Sequence, residues 1–501
     1  MNTAEPVNEF AGARQRGEWL VLTLIFVVSL AVRALRSSTI DVVADEIWTR
    51  SVAFLPLANA WEFVYRDAVH PPFFYVVERL VMHLVPDNIW GLRAVTLVAG
   101  ASIPPLIFWG ARKCGVTPTA AWLATALAIV SPLLLQMSTF ARSYSLVAFL
   151  ATLHLILSVA WWRQQPARPA WHLVILGMVI GLTHAFGVVY LGGASLLFLA
   201  LPENRPLWRR WILLFVPAMV VSLAWFGPAF VIMHGRAGLA AKLAWTGEPG
   251  LSDMIYAVGQ SLGLPAFRMA ERTILALWAL VGAIVLMGKP WERKEGRLAL
   301  VAIAVAWFPF VVQCLVVKAP LRLPLWGARH DVITNATFYF ALALALSRGA
   351  VALPRGLRLV AQGGVALAVC FLAFATPAPP ENIGPTFQYV RGLAKQRTIV
   401  TPVPYGIGTP LNFYFDRRCV ESRLMVWQLG RNAPDSTGFC RVRSTEDAIG
   451  DSLAAVVYRR DAPSDRHELA RFHTSGWTAT RDTTIGPDSL FVVELARRTP
   501  K

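Results

Sequence analysis

Charge is what this chain has little of. Asp, Glu, Lys and Arg make up 15% of its 501 residues, against about 25% in soluble domains. The shortage is concentrated in apolar blocks that recur up to residue 376, each long enough to cross a ~30 Å hydrocarbon layer as a helix. That pattern excludes an ordinary soluble core. The alternating pattern of a membrane barrel is missing too, so helices, which pair their backbone groups within one segment, are the expected spanning elements. No zinc or RNA-binding motif occurs, and much of the net charge of +17 sits in short loops between the apolar blocks, so it reads as membrane topology before nucleic acid. Cysteine is also sparse. Cys114, Cys314 and Cys370 fall in or beside apolar blocks and read as packing residues. Cys419 and Cys440 lie in the polar tail, where they either pair outside the cytoplasm or stay as two thiols.

What is present is a polytopic α-helical pattern. Eleven spans are expected at 18–36, 94–110, 118–136, 143–162, 170–185, 186–202, 210–232, 272–288, 298–317, 331–347 and 357–376. The pair at 170–202 reads either as two short spans or as one long helix with a break. Leu20 to Leu35 is read as a retained first span, because no small-residue cleavage site follows it. Every second connection is short and basic: Arg112 and Lys113, Arg163 and Arg168, Arg205 to Arg210, Lys289 to Arg297, Arg348 to Arg358. The positive-inside rule puts these and the N-terminus in the cytoplasm. An odd number of spans leaves the tail on the far side of the cell (inner) membrane.

Two regions are not spans. The outer loop 37–93 is too long for a connector, and its Phe73–Leu84 stretch reads as an amphipathic helix with Phe74, Val77, Leu80, Val81 and Leu84 on one face. The tail, 385–501, has polar composition. Its runs Thr398–Val403, Leu453–Tyr458 and Leu490–Glu494 read as strands and Asp465–His473 as helix, hence a small soluble α/β domain after a membrane domain 1–376.

Chemistry is expected at the outer face. Asp45 and Glu46 stand side by side after the first span, where like charges raise one another's pKa and suit one carboxylate to take a hydroxyl proton. A hydrated pair behind a helix end is the plainer explanation for them alone. Asp67 and His70 precede Pro71-Pro72, which opens the amphipathic helix; capping would account for both. Arg142 and Tyr144 mark the outer junction of spans three and four, and an Arg at that depth has a partner, a ligand or a lipid phosphate to snorkel to. His184, between spans five and six, taken alone reads as a packing residue. Arg322, Arg329 and His330 precede span ten, where forked cations can bind phosphate. These residues come from distant segments, yet the topology gathers them on one side. The spans hold almost no charge at mid-depth, unlike those of an ion-coupled transporter.

On these residues the chain resembles the GT-C membrane glycosyltransferases, in the branch of protein O-mannosyltransferases, the aminoarabinose transferase of lipid A and RgtA/B/C/D-like enzymes. The carriers are Asp45-Glu46 after the first span, His70-Pro71-Pro72 with its aromatics, Ala141-Arg142-x-Tyr144-x-Leu146, Thr183-His184-x-Phe186-Gly187, and Arg329-His330 where the family often has Arg-Tyr. The order holds across 18–376. The resemblance implies a polyprenyl-phosphate sugar donor, an envelope glycan, lipid or protein as acceptor, and inverting displacement on the outer face. Asp45 is then the expected base, with Glu46 beside it. Asp67, His70, Tyr144 and His184 would position acceptor or loop, and Arg142, Arg322, Arg329 and His330 would bind the donor phosphate. No cofactor is required on this reading, a divalent metal being the lesser alternative. Two other readings share the layout: a flippase for lipid-linked saccharides, and a glycan ligase using a polyprenyl-pyrophosphate donor.

Overall fold

The computed structural model describes residues 7–40, 42–67, 70–164, 170–199, 201, 208–234, 268–318, 331–347, 354–374 and five strands between 398 and 497. By contacts the chain divides into two compact units. The first comprises Met1–Arg36, Ala68–Val77 and Arg93–Pro377; the second comprises Ser37–Asp67, Glu78–Leu92 and Ala378–Lys501.

The first unit is helical. Its elements are α1 (Val7–Ser37), the opening of α4 (Pro72–Met82), α5 (Ile89–Lys113), α6 (Pro118–Val130), α7 (Pro132–Ser138), α8 (Tyr144–Gln164), α9 (Trp171–Gly181), α10 (Ala185–Leu199), α11 (Trp208–His234), α12 (Arg268–Met287), α13 (Lys294–Lys318), α14 (Val332–Ala345) and α15 (Arg355–Phe374). Each expected span falls on one or two of these. Among the described residues five helices are long and apolar enough to cross a membrane alone, and the bent pair α6–α7 makes a sixth. The chain is a multi-pass membrane protein. α1 exposes large apolar side chains, among them Trp19, Leu20, Leu24, Val27 and Leu35, as a lipid-facing surface requires. Every residue of α14 is buried, so this apolar helix is the hub of the unit.

Two breaks shape the site end of this unit. The block at 118–136 is not one straight helix but two, bent by 53°. Pro132 causes the break: it has no N–H for the Ala128 carbonyl, four residues back. Both loose ends are taken up. Arg33 Nη2 donates to Ala128 O at 3.2 Å, and Ser131 Oγ accepts from Leu134 N while donating to Asn335 Oδ1 of α14 at 2.7 Å. Gly100 of α5 lets α7 approach, since a Cβ there would run into Ser138 Oγ. The second break is at Leu182–His184. The stretch 170–202 is therefore two short helices, α9 and α10, joined by three residues.

The opposite end of the unit is tied by Arg163, in the last turn of α8, which bonds both the Cys114 carbonyl after α5 and Glu295 at the start of α13. Three of the basic connections thus meet at one end.

The second unit holds α2 (Ala44–Phe54), α3 (Leu57–Asp67), the last turn of α4 and the tail sheet. Trp48 of α2 packs on Phe63 of α3, with ring centroids 4.5 Å apart. Arg79 of α4 donates to the carbonyls of Ala53 and Leu55 at 3.0 and 2.6 Å, satisfying the open C-terminus of α2. The strands β1 (Thr398–Val400), β2 (Val442–Arg443), β3 (Leu453–Arg459), β4 (Trp477–Ile485) and β5 (Leu490–Arg497) form one sheet in the order β2-β1-β3-β5-β4. β1 runs parallel to β2 and β3, whereas β3, β5 and β4 are antiparallel neighbours. The expected runs Leu453–Tyr458 and Leu490–Glu494 are strands, and the run Thr398–Val403 is a strand over Thr398–Val400, its remainder lying outside the described residues. The helix expected at Asp465–His473, and Cys419 and Cys440, lie outside the described residues.

The amphipathic helix expected at Phe73–Leu84 is present as α4, but with a different buried face. Phe74, Tyr75, Glu78 and Met82 are buried, while Val76, Leu80 and Leu84 are exposed. The row i, i+4, i+8 from Phe74 carries a carboxylate in its middle, which an apolar count passes over.

Candidate active site

The first unit brings together four of the residues singled out in the sequence. Pro72 opens α4, where a missing N–H costs nothing. The next amide, Phe73 N, donates to Leu182 O at 3.0 Å, so the start of α4 is fastened to the α9–α10 break. That places His70 beside His184, with ring centroids 6.4 Å apart and edge to face. The α7–α8 connection supplies Arg142, which is 7% exposed. Its Nη1 donates to Tyr75 Oη at 3.2 Å and its Nη2 to His70 Nε2 at 3.1 Å. His70 accepts there, so its ring proton sits on Nδ1.

Tyr144 begins α8 and lies 5.2 Å from the His184 ring on one side, with Phe140 stacked at 6.0 Å on the other. His184 Nδ1 accepts from Phe186 N at 3.1 Å, which leaves its ring proton on Nε2. The recess lined by His70, Pro71, Phe74, Tyr75, Arg142 and Ser143 has no room for a water molecule as it stands. A buried guanidinium fork with a phenol and an imidazole on it is suited to an oxyanion with several acceptor oxygens. Tyr75 is the member missing from the sequence reading, though the aromatic run after Pro72 contained it.

The second unit holds the acidic residues. Asp45 and Glu46 occupy the first turn of α2. Glu46 is fully buried, and its Oε2 accepts from Val43 N at 3.1 Å, the backward bond of a capping box. Asp45 is half-buried. Glu46 thus ties down the start of α2, next to Asp45. Glu78 was not anticipated. It is fully buried, neither carboxylate oxygen has a hydrogen-bond partner among the described residues, and burial first, then the charge of Glu46, raises its pKa well above the usual carboxylate range.

Other expected residues fall elsewhere. Arg322, Arg329 and His330 lie outside the described residues, as does the side chain of Asp67. Asp331, which follows His330, is buried at the start of α14. Among the described residues no group of three or more His, Cys, Asp or Glu could hold a metal ion. The one imidazole near the middle of a span, His154 of α8, bonds Tyr190 Oη at 3.1 Å, and that hydroxyl donates onward to Ala151 O. It is a closed packing contact, not part of a polar path.

Comparison with known proteins meets this site. Residues 71–234 match the family model described as dolichyl-phosphate-mannose-protein mannosyltransferase; Tyr75, Arg142, Tyr144 and His184 all fall in that segment. No curated protein matches the chain by sequence. Among solved structures, apo ArnT from Cupriavidus metallidurans superposes with a TM-score of 0.55 at 13% identity, covering 96% of this chain and 98% of that one. The same protein bound to undecaprenyl phosphate gives 0.40 at 15% identity, covering 95% and 98%. Arabinofuranosyltransferase AftD from mycobacteria gives 0.46 at 18%, covering 96% of this chain and 40% of that one. The shared fold rests on the first of these. The resemblance carried by the motifs is thus met again in the family match and in the fold.

Proposed function

We propose that this protein is a membrane glycosyltransferase that moves a sugar from a polyprenyl-phosphate donor to an envelope acceptor at the outer face of the cell membrane. Eleven spans, a cytoplasmic N-terminus and an extracytoplasmic tail go with that reading. The observation that carries it is the buried Arg142 guanidinium, forked onto Tyr75 and onto His70, with Arg142 and Tyr75 inside the segment that matches the mannosyltransferase model. The fold shared with ArnT supports the same class.

In the proposed reaction Asp45 takes the proton of the acceptor hydroxyl. The freed oxygen forms a bond to the anomeric carbon from the face opposite the phosphate, and the bond from that carbon to the phosphate oxygen breaks with its electron pair. The product is inverted. Arg142 stabilises the charge growing on the leaving phosphate, together with Arg322, Arg329 and His330. The bond from Arg142 moves His70 from the acceptor to the donor side of this scheme, while Tyr144, His184 and Asp67 remain acceptor or loop residues. A lipid phosphate leaves readily enough for the scheme to run without a cofactor.

The test is sugar transfer from labelled polyprenyl-phosphate sugars to envelope fractions by the wild type and by Asp45→Asn. The reading expects transfer by the wild type and its loss in the variant at equal membrane content. Transfer only from pyrophosphate-linked oligosaccharide would replace it with a ligase. Donor translocation without any transfer would replace it with a flippase.

A further inference from the structure

Glu78 is a buried ionisable group of the second unit that the scheme above does not use. It lies on the Phe74–Met82 row of α4, fully buried, with neither oxygen bonded. The last turn of α4 is docked on α2 by the two bonds from Arg79 to Ala53 and Leu55. At the other end of α2, Glu46 is equally buried and already committed to the Val43 amide.

Two enclosed carboxylates in electrostatic reach of one another cannot both keep a charge cheaply. Glu46 accepts from a backbone amide in the first turn of α2; Glu78 accepts from no group among the described residues. The described charged groups of the surrounding helices and loop are Asp45, Arg50, Glu62, Arg79, His83 and Asp87. Arg50 is engaged by Asp87 at 2.5 Å and Arg79 by carbonyls. Of all these only Glu46 bears on Glu78 as a charge.

We propose that Glu78 is a positioning residue kept neutral beside Glu46, so that a single negative charge anchors the start of α2 and aims Asp45. Ionisation of Glu78 puts a second charge in the same enclosure, pulls Glu46 from the Val43 amide and loosens the turn that carries Asp45. The proton leaves to solvent, and no other group changes state. The proposal rests on Asp45 being the base of a transferase. It predicts a control of activity by pH that the Asp45 and Arg142 chemistry alone does not contain.

The experiment compares the pH dependence of transfer for the wild type, Glu78→Gln and Glu78→Asp in membranes of equal protein content. Gln keeps the shape and cannot ionise. The wild type should lose kcat on the alkaline side with donor KM little changed. Glu78→Gln should keep near-wild-type kcat at neutral pH and lack that alkaline limb. A Gln variant at least tenfold less active at neutral pH, with Asp restoring the rate, overturns the proposal, because the carboxylate itself would then be needed. So does an alkaline limb that persists unchanged in Glu78→Gln. The infrared carbonyl band of a protonated carboxyl supplies a readout independent of turnover. It should be present in the wild type well above the usual carboxylate range and weaker in Glu78→Gln; equal bands overturn the proposal. If no donor supports transfer, the transferase reading fails while the infrared result still decides the state of Glu78.

Discussion

Arg33 of α1 donates to the carbonyl oxygen of Ala128, the acceptor that Pro132 cannot serve. The same guanidinium bonds Ser138 Oγ at 3.0 Å and Ser29 Oγ at 2.6 Å, and it is fully buried. One cation therefore closes both sides of the α6–α7 bend. An unserved carbonyl at this depth has no water to turn to. The bend in turn sets where α7 ends, and so where the connection bearing Arg142 begins.

Arg33→Leu should therefore destabilise the protein by about 1–3 kcal/mol, the cost of a buried carbonyl left alone. Pro132→Ala in the Arg33→Leu background restores an N–H for Ala128 and should recover part of the loss. A double-mutant cycle of unfolding in detergent measures the coupling. Additive losses would show that Arg33 serves the bend no better than a neutral side chain.

Arg142→Lys keeps the charge and loses the fork. A Lys ammonium cannot hold the phenol of Tyr75 and the ring of His70 in the plane that a guanidinium offers. Transfer should fall about 100-fold or more, the scale for removing one oxyanion donor, while the protein stays in the membrane at wild-type levels. If Arg142 merely snorkels to lipid phosphate, Lys would serve as well and the rate would hardly move.

Tyr75→Phe removes one bond to Arg142 and keeps the ring. The bond comes from a charged donor, and such a bond contributes about 1.5 kcal/mol or a little more, so a roughly tenfold drop in kcat/KM for the donor is expected. Steady-state kinetics over donor concentration reads it. A loss as large as that of Arg142→Lys would mean that the phenol touches the reacting phosphate itself.

How much of this could be read from the sequence depends on what marks each residue. His70, Arg142, Tyr144 and His184 are polar residues at the ends of apolar blocks, so topology alone puts them on one side, and the structure brings them into contact. The bend at Ser131–Pro132 was written in the sequence but lay inside a block that passed as one span. Strand β4 was missed because it is an edge strand, Trp477–Ile485, rich in Thr and charge, with one neighbour to satisfy. Glu78 was missed for the opposite reason. A single carboxylate in an amphipathic helix is assigned to the wet face, and nothing local shows that the Phe74–Met82 row turns inward.

The burial of Glu78 also makes stability depend on pH in a definite direction. Its folded pKa stands well above the ordinary value of 4.5 because of burial, with the Glu46 charge adding to it. As pH rises past that ordinary value the unfolded chain gives up the proton first, while the folded protein retains it. Between the two pKa values the unfolded state thus binds fewer protons, and stability falls with rising pH until Glu78 itself ionises. Each unit of pH across that interval costs about 1.4 kcal/mol. Glu78→Gln has no proton to lose. Thermal unfolding in detergent, followed upward from about pH 5, should show the wild type losing stability relative to Glu78→Gln, the gap widening with pH until Glu78 itself ionises. Parallel curves would mean that Glu78 is already ionised in the folded protein, which its burial without a single hydrogen-bond donor makes costly.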